Sequence, residues 1–380
     1  MKLLYVTSLS GIRINGFMRS AIVAAKNLGI DFTMACNMDE ADKDLYAEDC
    51  QKYGIKVIHI DFDRNPIAAK NWLAKKQLLE LMNKEHFDVV HCNTPIGGVL
   101  GRVCAHKAKI PLVIYQAHGF HFWKGAPVKN WLFYYTIERY LATYTDILVT
   151  INKEDYNRAQ KFHLKDDGIV KYIHGVGVNT EKFRSSDFDV DRIRAGLEIP
   201  MDSKVFITVG ELIERKNQKT VIEAFDKAHI DGSILLICGN GVLMDELTEF
   251  VKSKGLSSRV RLLGYRQDVS DILRASDIFV FPSLQEGLPV ALMEAMACGL
   301  PCIASSIRGN VDLLGEKYDY LFEPKDCIKL ADMMVQILDR AEIVGAYCKE
   351  SIKEFDFEHV KKEYECLYSE AKQKLCIDHV

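Results

Sequence analysis

The sequence predicts an α/β protein built as two successive doubly wound domains, each with a parallel sheet. Three observations predict it. Strand-like apolar runs alternate with segments of helical spacing from end to end. Most of those runs are almost continuously apolar, as strands covered on both faces are. A polar stretch, Arg184–Asp191, interrupts the alternation near the middle of the 380 residues, a length that suggests two domains.

Lys2–Thr7 reads as the first strand and Gly16–Leu28 as a helix. Asp31–Cys36, Ile55–Ile60, Phe87–Cys92, Leu112–Ala117, Asp146–Ile151 and Val170–Ile173 follow as strands, with helical stretches between most of them. Lys204–Gly210, Ser233–Gly239, Val260–Leu263, Asp277–Pro282 and Pro301–Ala304 form the second set, and beyond Pro324 the chain reads as helical. The domains are therefore expected at 1–185 and 186–355. A last segment, 356–380, carries a helix near Glu358–Lys374 that is expected to return to the first domain. Two such halves imply a cleft, with ligands beyond the carboxyl ends of the strands.

Composition removes several function classes. The longer apolar runs, such as Ile234–Cys238 and Ile278–Phe281, fall far short of the ~18–20 residues of a membrane span. The opening MKLLYVTSLSGIR reads as a strand and a turn rather than a signal peptide. A net charge of −4 argues against a nucleic-acid binder. None of the eleven cysteines forms a C-x-x-C pair, and Cys36, Cys92 and Cys238 sit in apolar runs where Cys packs as a small hydrophobe. This usage predicts a cytoplasmic protein without disulfides or cysteine-bound zinc.

The segment Phe279–Pro301, FVFPSLQEGLPVALMEAMACGLP, carries the chemistry. A strand ends at Pro282, and a loop holds Glu286 and Gly287. Pro289 stands where a first helical position is expected, and Gly299 and Pro301 end the helix. The N–H groups of Leu288 and Val290 at such a helix start suit a diphosphate, which Gly287 allows to approach closely. Glu286 and Glu294 are roughly 10 Å or more apart at 1.5 Å per residue. That is too far for the ~5–5.5 Å carboxylate pair of a retaining glycosidase. It suits gripping two polyols, a sugar and a ribose, on either side of a diphosphate. The plainer reading of either Glu alone is a solvated side chain on a buried helix.

Glu286-x7-Glu294 in this strand–loop–helix setting resembles the signature of the family-4 retaining glycosyltransferases of the GT-B fold, in which two Rossmann-like domains face across a cleft. HCNTPIGG from His91, YQAHGFHF from Tyr115 and GELIERKN from Gly210 are similar to the exopolysaccharide and capsule branch. The resemblance spans almost the whole chain. It implies that Glu286 meets the donor sugar hydroxyls and Glu294 the ribose. It sets Lys216 beside the departing diphosphate, where a cation supplies electrostatic catalysis. At the family's Arg position stands Glu211, and Arg215 is the candidate replacement. His118 falls where the family places a His beside the donor sugar, and Gly264, Tyr265 and Arg266 where it places the nucleobase.

Other features are weaker. Gly11 and Gly16 bracket the loop after the first strand without a full dinucleotide fingerprint, and Gly16 is the better candidate for approaching the diphosphate. His118 and His121 lack the partners of a metal motif. Four Asp-x-Asp triplets occur, Asp42/Asp44, Asp61/Asp63, Asp187/Asp189 and Asp189/Asp191, and their abundance makes each uninformative. No cofactor or essential metal is expected. Basic and aromatic character in residues 64–84 and 120–140 suits a membrane interface, against the plainer reading of packed helices with charged outer faces.

The resulting expectation is a metal-independent retaining hexosyltransferase. It takes a nucleotide-diphosphate sugar, a UDP-sugar foremost, and acts on a saccharide acceptor, lipid-linked, in surface polysaccharide synthesis at the inner face of the membrane. A sugar-nucleotide epimerase of the same architecture and a non-catalytic sugar-nucleotide sensor are the alternatives. A dinucleotide oxidoreductase is disfavoured by the missing fingerprint.

Overall fold

The structure, a computed structural model, describes residues 1–8, 11–14, 16–183 and 188–377, without the side chain of residue 377. The chain divides into two compact units, Met1–Gly177 with Phe357–Val380, and Val178–Asp356.

The first unit holds seven parallel strands: β1 (Lys2–Val6), β2 (Asp31–Cys36), β3 (Lys56–His59), β4 (Val89–Asn93), β5 (Leu112–Ala117), β6 (Ile147–Thr150) and β7 (Ile169–Tyr172). Their order is β3-β2-β1-β4-β5-β6-β7. Successive side chains of a strand point to opposite faces. Leu3 and Tyr5 accordingly enter one core cluster, and Leu4 and Val6 the other. The helix Gly16–Asn27 covers the first of these faces.

The C-terminal helix, Phe357–Ile377, packs against Gly16–Asn27. Its Val360, Tyr364, Leu367, Tyr368 and Ala371 recur at helical spacing and complete the same core. Burying tyrosines there requires partners for their hydroxyls. Tyr364 donates to Gln116 Oε1 at 2.8 Å, and the Tyr368 hydroxyl lies 3.0 Å from His91 Nδ1. The last helix of the chain is thus part of the first unit's interior.

The second unit holds β8 (Lys204–Val209), β9 (Ser233–Cys238), β10 (Val260–Gly264), β11 (Ile278–Phe281), β12 (Cys302–Ser305) and β13 (Leu321–Phe322), all parallel, in the order β10-β9-β8-β11-β12-β13. β13 has two residues, too short to show as an apolar run.

The units part at Gly177/Val178 rather than at 185/186. Val178 forms a parallel bridge with Asp356, and Thr180 Oγ1 donates to Asp356 Oδ2 at 2.6 Å. These bonds tie the outgoing and returning segments together inside the second unit, and no shift of composition marks the place.

In each sheet the chain steps outward and then returns to the other side of its first strand. The reversals lie between β1 and β4 and between β8 and β11, the switch points at which such sheets bind ligands. All eleven cysteines are free. No helix among the described residues is long and apolar enough to cross a membrane.

Candidate functional site

The loops leaving β8 and β11 meet at the second unit's switch point. After β8 the chain makes a 3-10 turn, Glu214–Lys216, and Asn217 takes a left-handed conformation, φ 57°, before the helix Gln218–Ala228. Asparagine tolerates that conformation better than most residues. Its Nδ2 donates to Pro282 O at 3.1 Å, and Leu284 N donates to Arg215 O at 2.8 Å, so the two loops are pinned together.

Lys216 Nζ and Arg215 Nη1 both donate to Glu286 Oε1, at 2.7 and 2.9 Å. Arg215 also donates to Gln285 O at 2.8 Å, and Arg308 Nε to Glu286 O at 3.0 Å. Glu286 is only 9% exposed. Two cationic side chains therefore hold the Glu286 carboxylate and a third its backbone carbonyl, a gathering of positive charge suited to an added anion. Arg308, from the loop after β12, was not singled out in the sequence. Its signal is the following Gly309, whose φ of 58° lets the backbone pass where a Cβ would lie 2.5 Å from Gly287 O. Gly239, at the end of β9, is bound more tightly: a Cβ there would fall 1.9 Å from Gly210 O.

The helix after this loop runs Val290–Ala297, with Pro289 as its N-cap rather than its first residue. The Pro289 ψ of 117° is extended, and its carbonyl accepts the first helical bond, from Met293 N at 3.2 Å. The other end closes as a Schellman turn, with Gly299 left-handed at φ 78°, Leu300 N donating to Ala295 O and Gly299 N to Met296 O. Glu294 is half-buried on this helix. Burial raises its pKa above the ordinary carboxylate value, and Lys182 partly opposes the shift.

At the end of β10, Gly264 has φ 66° and its carbonyl accepts from Gly239 N at 2.9 Å. Tyr265 is 74% exposed. Arg266 is held by Asp268 through two bonds, at 2.8 and 2.6 Å, which fixes its guanidinium over its own loop. Glu211 is exposed and Arg215 stands beside Lys216.

His118 and Gly16 belong to the first unit. Gly16 begins the first helix, and a Cβ there would meet nothing within 4 Å. His118 follows β5, and its Nε2 lies 3.1 Å from Asn93 Oδ1. Asn93 Nδ2 faces His91 O at 3.5 Å, which turns Oδ1 toward the imidazole. His118 Nε2 then carries the proton, and Nδ1 keeps its lone pair. That Nδ1 is buried with no hydrogen-bond partner among the described residues. Burial pushes the His118 pKa down to about 4. The ring is therefore neutral and keeps one acceptor unused. Asn93 ends β4 at this unit's switch point, and Thr94 is the N-cap of the helix Pro95–Lys107 that follows. Thr94 is strained at φ 63°, ψ 158°, with its Oγ1 2.9 Å from Ser8 N. Neither was singled out in the sequence, although both lie within the HCNTPIGG stretch.

The Asp-x-Asp triplets have local duties. Asp42 caps a helix through Asp44 N and Leu45 N, Asp63 accepts from Asn65 N, and Asp189 caps the helix Val190–Gly196. Asp187 lies outside the described residues. His121 packs its ring on Tyr134.

Comparison with known proteins covers both units. Residues 189–353 match the family model of glycosyl transferases group 1, and residues 2–152 that of the glycosyl transferase 4-like family. A protein of Bacillus subtilis (strain 168) classed as the glycosyltransferase EpsD is 36% identical over 290 residues, covering 75% of this chain and 76% of the relative. The UDP-Gal:alpha-D-GlcNAc-diphosphoundecaprenol alpha-1,3-galactosyltransferase of Escherichia coli is 34% identical over 297 residues, covering 76% of each chain. Among solved structures, Anabaena Alr3699/HepE in complex with UDP and glucose superposes with a TM-score of 0.79 at 17% identity, over 97% of this chain and 100% of the other.

Proposed function

The chain belongs to the group 1 glycosyl transferases, and on that premise we propose that it moves a hexosyl group from a UDP-sugar to a lipid-linked saccharide in surface polysaccharide synthesis, with retention and without metal in the chemical step. The observation that carries this reading is the convergence of Arg215, Lys216 and Arg308 on Glu286 at the second unit's switch point.

The donor diphosphate binds at the start of the helix Val290–Ala297, where the first N–H groups have no partner within the helix. It draws Lys216 and Arg215 from Glu286. The released carboxylate then accepts hydrogen bonds from the sugar hydroxyls. Glu294 takes the ribose and Tyr265 covers the base. His118 accepts from a sugar hydroxyl through Nδ1. As the anomeric carbon–oxygen bond breaks, the two cations take up the growing charge on the diphosphate. The acceptor oxygen attacks from the same face, and its proton passes to the leaving phosphate, so no protein base is needed.

The name of the Escherichia coli relative and the exposed apolar side chains of the first unit support a lipid-linked acceptor. That unit exposes Ile67, Trp72, Val128, Leu132 and Phe133 within the two basic stretches, which fits peripheral contact with the inner leaflet. The test is incubation with a panel of sugar nucleotides, with and without undecaprenyl-linked acceptors. Acceptor-dependent release of UDP with an axial product linkage supports the reading. Interconversion of the donor sugar without acceptor would mark an epimerase, and binding without turnover a sensor.

A further inference from the structure

We propose that His174, His359 and Glu363 bind a divalent transition-metal ion, zinc by the chemistry of the ligands, and that this ion fastens the C-terminal helix to the segment by which the chain leaves the first unit. The three ligand atoms lie within 4.8 Å of one another. They form the only group of three or more such side chains so gathered among the described residues.

The positions follow from the fold. His359 and Glu363 are four apart on the C-terminal helix and so share one face. His174 follows β7 by two residues. Its backbone N–H donates to Glu363 Oε2 at 2.9 Å, and its Nδ1 lies 2.7 Å from Glu363 Oε1. His359 Nε2 is 3.8 Å from the same Oε1, and the two imidazole rings meet edge to face at 5.3 Å.

Two imidazoles and a carboxylate form a ligand set suited to zinc, with the fourth position left to water. Magnesium and calcium prefer oxygen alone. Zinc bonds of ~2.0–2.1 Å place tetrahedral ligand atoms roughly 3.3 Å apart. His359 is the exposed member, so a rotamer change on its side closes the gap. Binding substitutes the ion for the proton between His174 and Glu363, and that proton is released to solvent.

The site stands where it has a mechanical effect. The chain leaves the first unit at Gly177/Val178 and re-enters it at Asp356/Phe357. His174 precedes the exit by three residues, and His359 follows the re-entry by two. One ion would clamp both crossing segments, where the protein already bonds Ser20 Oγ to Val176 O at 2.7 Å. The three residues take no part in the donor chemistry.

The test is titration of the metal-free full chain with Zn2+ by calorimetry, together with thermal melts in Zn2+ or Mg2+. One site per chain is expected, with a Tm rise in Zn2+ and none in Mg2+. His359→Ala, at an exposed position, should weaken zinc by at least the ~10–100-fold that even an outer-sphere change costs, and should remove the Tm rise. UDP binding should be unchanged in that variant. Cys366, an exposed thiol on the same helix, is the competing ligand, and Cys366→Ser should bind zinc normally. The proposal is overturned if wild type shows neither heat nor Tm rise, or if Cys366→Ser abolishes zinc binding while His359→Ala retains it.

Discussion

Lys216 Nζ lies 2.7 Å from Glu286 Oε1, joining the loops after β8 and β11 across 70 positions of sequence. Arg215 shares the same oxygen at 2.9 Å. One carboxylate thus holds two cations in place at the switch point, and on the proposed reading the donor diphosphate takes them over when it binds. They then stand beside the leaving group before its charge develops, so the bond-breaking step itself needs little reorganisation.

Lys216→Ala is therefore expected to lower kcat by on the order of 10²–10³-fold, with a much smaller change in donor Kd. Steady-state kinetics beside titration of UDP separates the two. A variant that turns over normally would remove Lys216 from the chemical step.

Glu294 sets binding against stability. Its pKa is raised by burial, so the folded chain favours the protonated form. The stabilising contribution of that proton is fully present below the ordinary value of 4.5 and is lost as pH rises through the raised folded value. Glu294→Gln should accordingly melt higher than wild type at pH 7, with the difference closing below pH 4.5. Glu294→Ala should weaken donor binding by roughly 1.5–3 kcal/mol, the scale of a hydrogen bond to a charged group. Melts across pH and calorimetry with UDP check both halves, and unchanged donor affinity in the folded variant would remove the ribose contact.

The buried His91 and the half-buried His118 of the first unit predict acid sensitivity. Burial holds His91 down to about 3 and His118 down to about 4, from an ordinary 6.5. The unfolded chain takes up these protons first, so stability falls as pH drops below 6.5 toward about 4, by about 1.4 kcal/mol per pH unit for each proton. His118→Gln should flatten that slope by one proton in urea unfolding between pH 6 and pH 4.5. In wild type, ring nitrogen NMR should show His118 neutral at pH 6 with the proton on Nε2, and Asn93→Leu should lose that preference.

Turnover should survive chelator. Two carboxylates of these loops are already engaged, Glu286 by Lys216 and Arg215 and Asp268 by Arg266. Initial rates in EDTA should match those without it, even where zinc removal lowers the Tm. Complete loss, restored by Mn2+ or Mg2+ alone, would bring a metal back into the mechanism.

Much of this was legible because parallel strands announce themselves. A run such as Ile234–Cys238 is apolar on both faces, and the glycine and prolines around Glu286 and Glu294 punctuate a strand–loop–helix unit. What stayed hidden depends on tertiary neighbours. That Glu286 pairs with Lys216 follows from β8 and β11 being adjacent, which the order of strands along the chain does not reveal. The bond between Arg266 and Asp268 is likewise one that sequence spacing does not specify. Pro289 caps its helix instead of beginning it because its ψ is extended, which proline itself does not decide. Asn93 carries no signal in the sequence, since an amide in a buried strand means little until its acceptor faces His118.

The helix Lys70–Glu85 exposes Trp72 at 76% and Leu73, and Lys75 Nζ sits 5.5 Å over the Trp72 ring. Just before it Ile67 is 88% exposed, and the turn Trp131–Tyr135 exposes Leu132 at 72%. Apolar side chains this open, beside lysines, match the interfacial pattern of a ring in the headgroups and a charge at the phosphates. Each Lys near an anionic surface contributes about 1 kcal/mol, and salt screens it. Binding to anionic liposomes should therefore be measurable by flotation at low salt and fall as salt rises. Changing Lys70, Lys75 and Lys76 together to Glu should abolish it and leave UDP affinity intact, since all three lie in the first unit and the donor loops in the second. Trp72→Ala should weaken binding in a way that salt does not mimic. Wild-type protein that ignores anionic liposomes at low ionic strength would show these helices to be ordinary solvated faces, and the acceptor would then have to reach the enzyme from solution.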